Sequence, residues 1–208
     1  YSFDPGGTKS IVDAIDTTDV IVDVSWEKFS GNWKAFQDDF NGKCKSGFFD
    51  HFGTVCIDSL TTMSERLINH VRGTKLKLEF DGWTNVWLTT VELVNAFLCL
   101  PCDSILIAHL DTYHEMSELR KYKLLMPGRA GSILPDLFDE VFVLEAKETS
   151  SGIGRKLITA NTGYYECKTR IGKNFSLREE PDFKALRKKA GWPYTDKPRL
   201  GGQDGTSK

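Results

Sequence analysis

The chain has 208 residues, of which 40% are hydrophobic and 27% charged, with a formal net charge of −2; these values fit a globular α/β-sized domain and exclude a disordered or collagenous chain. No apolar run reaches the ~18 residues of a membrane span, since Thr89, Thr90, Glu92 and Asn95 interrupt the longest, Val86 to Leu100. The start has no signal-peptide pattern and the five cysteines (Cys44, Cys56, Cys99, Cys102 and Cys167) are odd in number, which points to a reducing, cytoplasmic setting rather than a disulfide framework.

In chain order, Ser2-Phe3 reads as the end of a strand and Asp4-Pro5-Gly6-Gly7 as a turn, with a short helix opening over Ser10 to Ile15. The β-branched run Val20 to Val24 predicts a strand. Ser25 is a fair N-cap for a helix to about Cys44, with Trp26, Phe29, Trp33, Phe36 and Phe40 at helical spacing. Thr54 to Asp58 is a short apolar run ending in a carboxylate. Ser59 then caps a helix whose face is Leu60, Met63, Leu67 and Val71, and a second helix covers Asn85 to Cys99. Ser104 to Ala108 predicts another buried strand, ending at His109.

The polar stretch Asp111 to Pro135 reads as a long connection, of the kind that is often functional. Glu140 to Leu144, Lys156 to Thr159 and Gly163 to Lys168 read as strands, and from Gly172 a polar, basic tail begins, with a short helix at Phe183 to Lys189. Apolar strands separated by amphipathic helices predict an α/β fold with a mostly parallel central sheet flanked by helices, and antiparallel strands at its C-terminal edge. The domain expectation is a core over 1–172 and a flexible tail over 173–208.

Asp58 is the strongest chemical signal. A carboxylate at the end of a buried parallel strand sits where open α/β sheets bind ligands, and it reads equally well as a cap of the next helix. His109 ends the next strand in the same way, and Asp4 ends the first. Either could face a shared crevice, Asp4 as a water-activating carboxylate, or simply be a strand-end or turn residue. Lys168 and Arg170 alternate on one side of the last strand, where they could reach a phosphate or merely face water. Gly6-Gly7-Thr8-Lys9-Ser10 is not a P-loop: Thr8 separates glycine from lysine and the first glycine is missing. Cys99-Leu100-Pro101-Cys102 closes a helix instead of opening one and has no second pair, so it reads as packing.

The order of Val55-Cys56-Ile57-Asp58-Ser59-Leu60-Thr61, Ile105-Leu106-Ile107-Ala108-His109, Pro127-Gly128-Arg129-Ala130-Gly131, Phe138-Asp139-Glu140-Val141 and Glu166-Cys167-Lys168-Thr169-Arg170 resembles the RecA-like P-loop ATPases encoded by bacteriophages. The nearest group is the phage nucleotide-binding proteins of single-strand annealing and recombination, and the resemblance covers roughly Tyr1 to Lys173. It implies ATP and Mg²⁺ as cofactors, with Asp58 as the Walker B carboxylate holding the metal and Ser59 beside it in the nucleotide site. It implies a polar sensor at His109, an acidic residue at Asp4 after the second strand, and a K-x-R pair at Lys168 and Arg170 that reaches a neighbouring subunit's nucleotide. It further implies a homo-oligomer and single-stranded DNA met by Arg120, Lys121, Lys123 and Arg129, with phage recombination or replication proteins as partners and no membrane.

The resemblance also implies a first strand and P-loop ahead of Tyr1, so the chain is expected to be an N-terminally truncated core, inactive by itself. The alternative is a RecA-like module without catalysis that binds single-stranded DNA or a partner, with Tyr164, Tyr165, Trp192 and Tyr194 available for stacking on bases.

Overall fold

The computed structural model describes residues 1–10, 20–27, 33–114, 120–150, 152–193, 196–198 and 200. They divide into two compact units: Tyr1–His109 with Leu125–Ala130 and Thr195–Lys208, and Leu110–Leu124 with Gly131–Tyr194.

The first unit is built on two parallel strands, β1 (Thr54–Ile57) and β2 (Asp103–Leu106), in a register running from Thr54 opposite Asp103 to Ile57 opposite Leu106. Alternation in β1 turns Val55 and Ile57 into the core and leaves Thr54 and Cys56 half-exposed. On the other side of β1, Ser2 bridges Asp58 in parallel. There the Asp58 N–H donates to the Tyr1 carbonyl at 3.0 Å, and the Phe3 N–H donates to the Asp58 carbonyl at 2.6 Å. Three chain segments therefore run side by side in one direction and end at one edge.

Among the described residues of this unit the α-helices are α1 (Trp33–Lys45), α2 (Leu60–Arg72) and α3 (Phe80–Leu98). In α1 the buried positions Trp33, Phe36 and Phe40 recur at helical spacing. Leu60, Met63 and Leu67 form the buried face of α2, the fourth expected position, Val71, is only half-buried, and Gly73 ends the helix in a positive-φ conformation. Phe80 starts α3 ahead of Asn85, and its buried stripe is Val86, Thr90, Leu93, Val94 and Phe97. Buried Thr90 is satisfied within the helix, its hydroxyl donating to the Val86 carbonyl at 2.8 Å. Phe36 gathers the rings of Tyr1, Phe3, Trp26, Trp33 and Phe40 around it, and Phe40 stacks on Phe97 with centroids 4.4 Å apart.

The second unit is antiparallel. Strands β3 (Leu110–His114) and β4 (Arg120–Leu124) form a hairpin, with Asp111 opposite Lys123 and Tyr113 opposite Lys121. The helix α4 (Ala130–Leu137) follows, its Ala130 and Leu134 buried. Strand β5 (Glu140–Val141) pairs with β8 (Lys168–Thr169). Strands β6 (Val143–Thr149), β7 (Gly152–Ile158) and β9 (Arg178–Glu179) form a three-stranded sheet over a small core of Val143, Ile158 and Cys167. The last helix, α5 (Phe183–Ala190), is capped by the Asp182 carboxylate, which accepts from the Ala185 N–H at 3.0 Å, and is ended by Gly191.

Several expectations change. Among the described residues parallel pairing is confined to β1–β2 and two isolated bridges, so the sheet structure is mixed and not mostly parallel. After His109 the links joining β3 to β4 and β6 to β7 are too short for a parallel crossover, which leaves antiparallel pairing there. The stretch Asp111 to Pro135 is a hairpin followed by most of a helix, not a long connection. Val20 to Val24 forms no strand: Val20, Ile21 and Val24 are exposed, and one bond, from the Ser2 N–H to the Asp23 carbonyl, joins the segment to Tyr1–Phe3. β2 is half-buried along its length, with Ile107 exposed beyond it, and Gly163 to Cys167 supplies only a bridge at Tyr165. Ser25 lies in a turn ahead of α1, and the expected helices over Ser10 to Ile15 and around Phe29 fall largely outside the described residues.

Replacing Phe97, fully buried and stacked on Phe40, removes the ring that joins α3 to α1. Phe97→Ala is expected to cost about 3–5 kcal/mol, read in urea unfolding as a lower midpoint with an unchanged slope.

Candidate functional site

The shared edge where Tyr1–Phe3, β1 and β2 end is closed by backbone bonds. The Ile107 N–H donates to the Ile57 carbonyl at 3.0 Å, and the Leu60 N–H at the start of α2 donates to the Ile107 carbonyl at 2.7 Å. The chain leaving β2 is thereby tied to the first turn of the helix that follows β1. This brings together Asp4, Asp58, Ser59 and His109, which lie at the strand ends where open α/β sheets meet ligands.

Ser59 is fully buried and joined to Asp58 by a cis peptide bond. Its extended backbone suits an N-cap, and its Oγ accepts from the Thr62 N–H at 3.2 Å. The same hydroxyl donates to Asp4 Oδ1 at 2.7 Å. Asp4 Oδ2 lies 3.3 Å from His109 Nε2, and the His109 backbone N–H donates to buried Thr61 Oγ1 at 2.9 Å. The start of α2 therefore holds the acid through Ser59 and the His109 backbone through Thr61.

Asp58 is different. Among the described residues its carboxylate has no hydrogen-bonded partner, and the charges it feels are those of Asp4, His109 and the Tyr1 ammonium. Beside it Gly7 has no side chain: a Cβ there would sit 3.2 Å from Ser2 Oγ and 4.0 Å from Asp58 Oδ2.

The two carboxylates are pushed apart in acidity. Burial and the negative charge of Asp4 raise the pKa of Asp58 above the usual carboxylate value, with His109 offsetting part of this. Burial also works against ionised Asp4, but hydrogen bonds from Thr62 and Ser59 and the nearby His109 more than offset it, so its pKa is lowered.

A half-buried carboxylate without a partner favours a cation. No group of three or more His, Cys, Asp or Glu side chains that could hold a metal occurs among the described residues. Mg²⁺ takes one or two carboxylates and fills its shell with water and phosphate oxygens, and Asp58 is the carboxylate of this edge that could hold it.

Three further residues support this edge. Ser2 Oγ donates to Glu27 Oε1 at 2.6 Å, and the Gly6 N–H donates to Glu27 Oε2 at 3.2 Å. Buried Arg66 donates through Nη2 to the Glu27 carbonyl at 3.0 Å and the Phe3 carbonyl at 3.5 Å. Arg66 follows Ser59 by two helical turns, so a guanidinium on that side of α2 was a readable sign; nothing in the sequence signals Glu27, whose partners are remote. Thr61 carries no pattern of its own.

Lys168 and Arg170 belong to the second unit. Lys168 Nζ donates to the Pro135 and Asp136 carbonyls at 3.0 and 3.2 Å, at the end of α4. Arg170 pairs with Asp139 at 2.7 Å on the surface. Lys121 and Lys123 alternate onto one face of β4, the first half-buried and the second exposed. Arg120 is opposite His114 in the register, and Arg129 is exposed ahead of α4. The Gly6–Ser10 segment is a turn with Gly6 at φ 72° leading into one 3₁₀ turn. Among the described residues no helix is long and apolar enough to cross a membrane.

Against known proteins, a family model described as an AAA domain matches residues 2–171. No curated protein and no solved structure matches the chain.

The raised pKa of Asp58 has a consequence for stability. A carboxylate whose folded pKa exceeds its unfolded value of ~3.9 destabilises the fold once it is ionised, and has no such effect when both states are protonated. Asp58→Asn is therefore expected to unfold at a higher temperature than wild type at pH 7, with the gain shrinking as the pH falls through 4. Thermal melts at both pH values check this.

Proposed function

Since the chain belongs to the AAA domain family of P-loop NTPase-like, nucleotide-binding proteins, we propose that it binds ATP with Mg²⁺ and takes part in its hydrolysis. The reading rests on the meeting of Asp4, Asp58, Ser59 and His109 at one strand edge within the matched segment. Asp58 holds the metal, which, when bound, neutralises charge on the phosphates during transfer. Ser59 keeps Asp4 fixed and ionised. Asp4 in turn fixes His109, and this pair orients the attacking water.

In the finer form of this reading the protein is a RecA-like ATPase of bacteriophage origin that works in DNA recombination, annealing or replication. It acts as a homo-oligomer on single-stranded DNA, with phage recombination or replication proteins beside it. Lys168 and Arg170 serve a neighbouring subunit's nucleotide, and Arg120, Lys121, Lys123 and Arg129 meet the DNA backbone.

One observation favours a second reading. The 208 residues contain no G-x-x-x-x-G-K-[ST] segment, so the backbone that wraps phosphates in P-loop proteins is not among them. A module that binds single-stranded DNA without turning over ATP needs no such cradle.

ATP turnover by the full-length protein separates the two. Asp58→Ala is expected to lower Mg²⁺-dependent hydrolysis about 100-fold or more, and undiminished turnover in that variant overturns the enzymatic reading. DNA binding that is salt-sensitive but indifferent to ATP, with no hydrolysis in the wild type, is the signature of the second.

A further inference from the structure

Glu27 grips the chain on both sides of Asp4. Its Oε1 accepts from the Ser2 hydroxyl at 2.6 Å and its Oε2 from the Gly6 N–H at 3.2 Å. These partners stand two residues before and two residues after the acid. Ser2 is buried, so its hydroxyl needs such a partner.

The grip is itself anchored. Arg66 Nη2, on α2, donates to the Glu27 carbonyl at 3.0 Å and to the Phe3 carbonyl at 3.5 Å. The ring of the preceding residue, Trp26, packs edge-on against Phe36 with centroids 5.4 Å apart. Asp4 is thus located from two directions. Glu27 holds the backbone around it, and Ser59 Oγ holds its side chain at 2.7 Å. Both holds lead back to α2, one through Arg66 and one through the cap residue Ser59.

The turn held in this way lies against the site. The Gly7 N–H closes it by donating to the Asp4 carbonyl at 2.9 Å. A Cβ at Gly7 would meet Ser2 Oγ at 3.2 Å, Asp4 Cβ at 3.5 Å and Asp58 Oδ2 at 4.0 Å. Gripped residue, turn and both acids therefore touch one small volume, and a shift of the turn moves Asp4 relative to Asp58 and His109.

We propose that Glu27 is a positioning residue for the ATP-hydrolysing site: by holding Ser2 and Gly6 it sets where the Asp4 carboxylate stands. This role rests on the hydrolytic reading of Asp4, Asp58 and His109. Both Glu27 oxygens are engaged with the scaffold, so it acts through Asp4 and not on the substrate. The hydrogen-bond pattern carries the role, not the charge. A glutamine accepts the Gly6 N–H through Oε1 and donates to Ser2 Oγ through Nε2, whereas an alanine does neither.

Steady-state ATP turnover by the full-length protein, together with hydrogen exchange of its backbone amides, tests this. Misplacing a reacting group by an ångström lowers the rate of the chemical step, so Glu27→Ala is expected to lower kcat about 10- to 100-fold. Its KM for ATP should change less than about 3-fold. Glu27→Gln should keep most of the wild-type kcat. Ser2→Ala/Glu27→Ala should be no slower than Glu27→Ala, because both changes remove the same hold. The Gly6 amide should exchange faster in Glu27→Ala while the amides of α2 keep wild-type protection, which separates lost position from lost fold. Should Glu27→Ala fail to fold, Ser2→Ala decides by the same readouts, with a smaller loss of kcat expected. In a wild type that hydrolyses ATP, an unchanged kcat, a change in KM alone, a Glu27→Gln as slow as Glu27→Ala, or unaltered Gly6 exchange would overturn this role and leave the hydrolytic reading standing. A wild type without turnover overturns both.

Discussion

The buried hydroxyl of Ser59 organises the strand edge. It accepts the Thr62 N–H, which starts α2, and donates to Asp4, which lies beyond the neighbouring strand segment. One side chain thus joins secondary structure to chemistry. A helix cap contributes about 1 kcal/mol, but here the cap also fixes a carboxylate, and through it the imidazole of His109. Without the hydroxyl, Asp4 would lose a hydrogen bond that keeps it ionised against the cost of burial.

The electrostatics of the edge follow from what each acid has been given. Asp4 has hydroxyl donors and a histidine, whereas Asp58 has burial and a negative neighbour. Glu27 is held by Ser2 and the Gly6 N–H, and buried Arg66 is spent on two backbone carbonyls. Asp58 is thus the one of the two acids at this edge whose charge burial and its neighbour disfavour, with His109 and the Tyr1 ammonium offsetting part of that cost.

Much of this was legible because the signals were local. The run Thr54 to Ile57 closing on Asp58, the Ser59 cap and the Leu60/Met63/Leu67 face are short-range patterns, and each formed as read. The closeness of Asp4 and His109 followed from parallel strands ending at one edge. What failed depended on partners distant in sequence. Val20 to Val24 has strand composition but little to bury it, so propensity alone did not make a strand. The hairpin after His109 was missed for a different, local reason: its strands are mostly polar, so they leave no apolar period to detect. Glu27 and Thr61 were unreadable because a side chain that holds a remote backbone group carries no pattern.

Lys168 ties a strand to the end of a helix. Its ammonium group closes the carboxyl end of α4 by serving the Pro135 and Asp136 carbonyls. Pro135, with no N–H of its own, already weakens the ladder there. Any anion that drew this lysine away would leave those carbonyls to water, so engagement and fraying of the helix end would be opposite sides of one latch. The two-residue strand that carries the lysine pairs with β5, just beyond that helix, so a pull on the side chain would be felt at both ends of the Asp136–Glu140 turn.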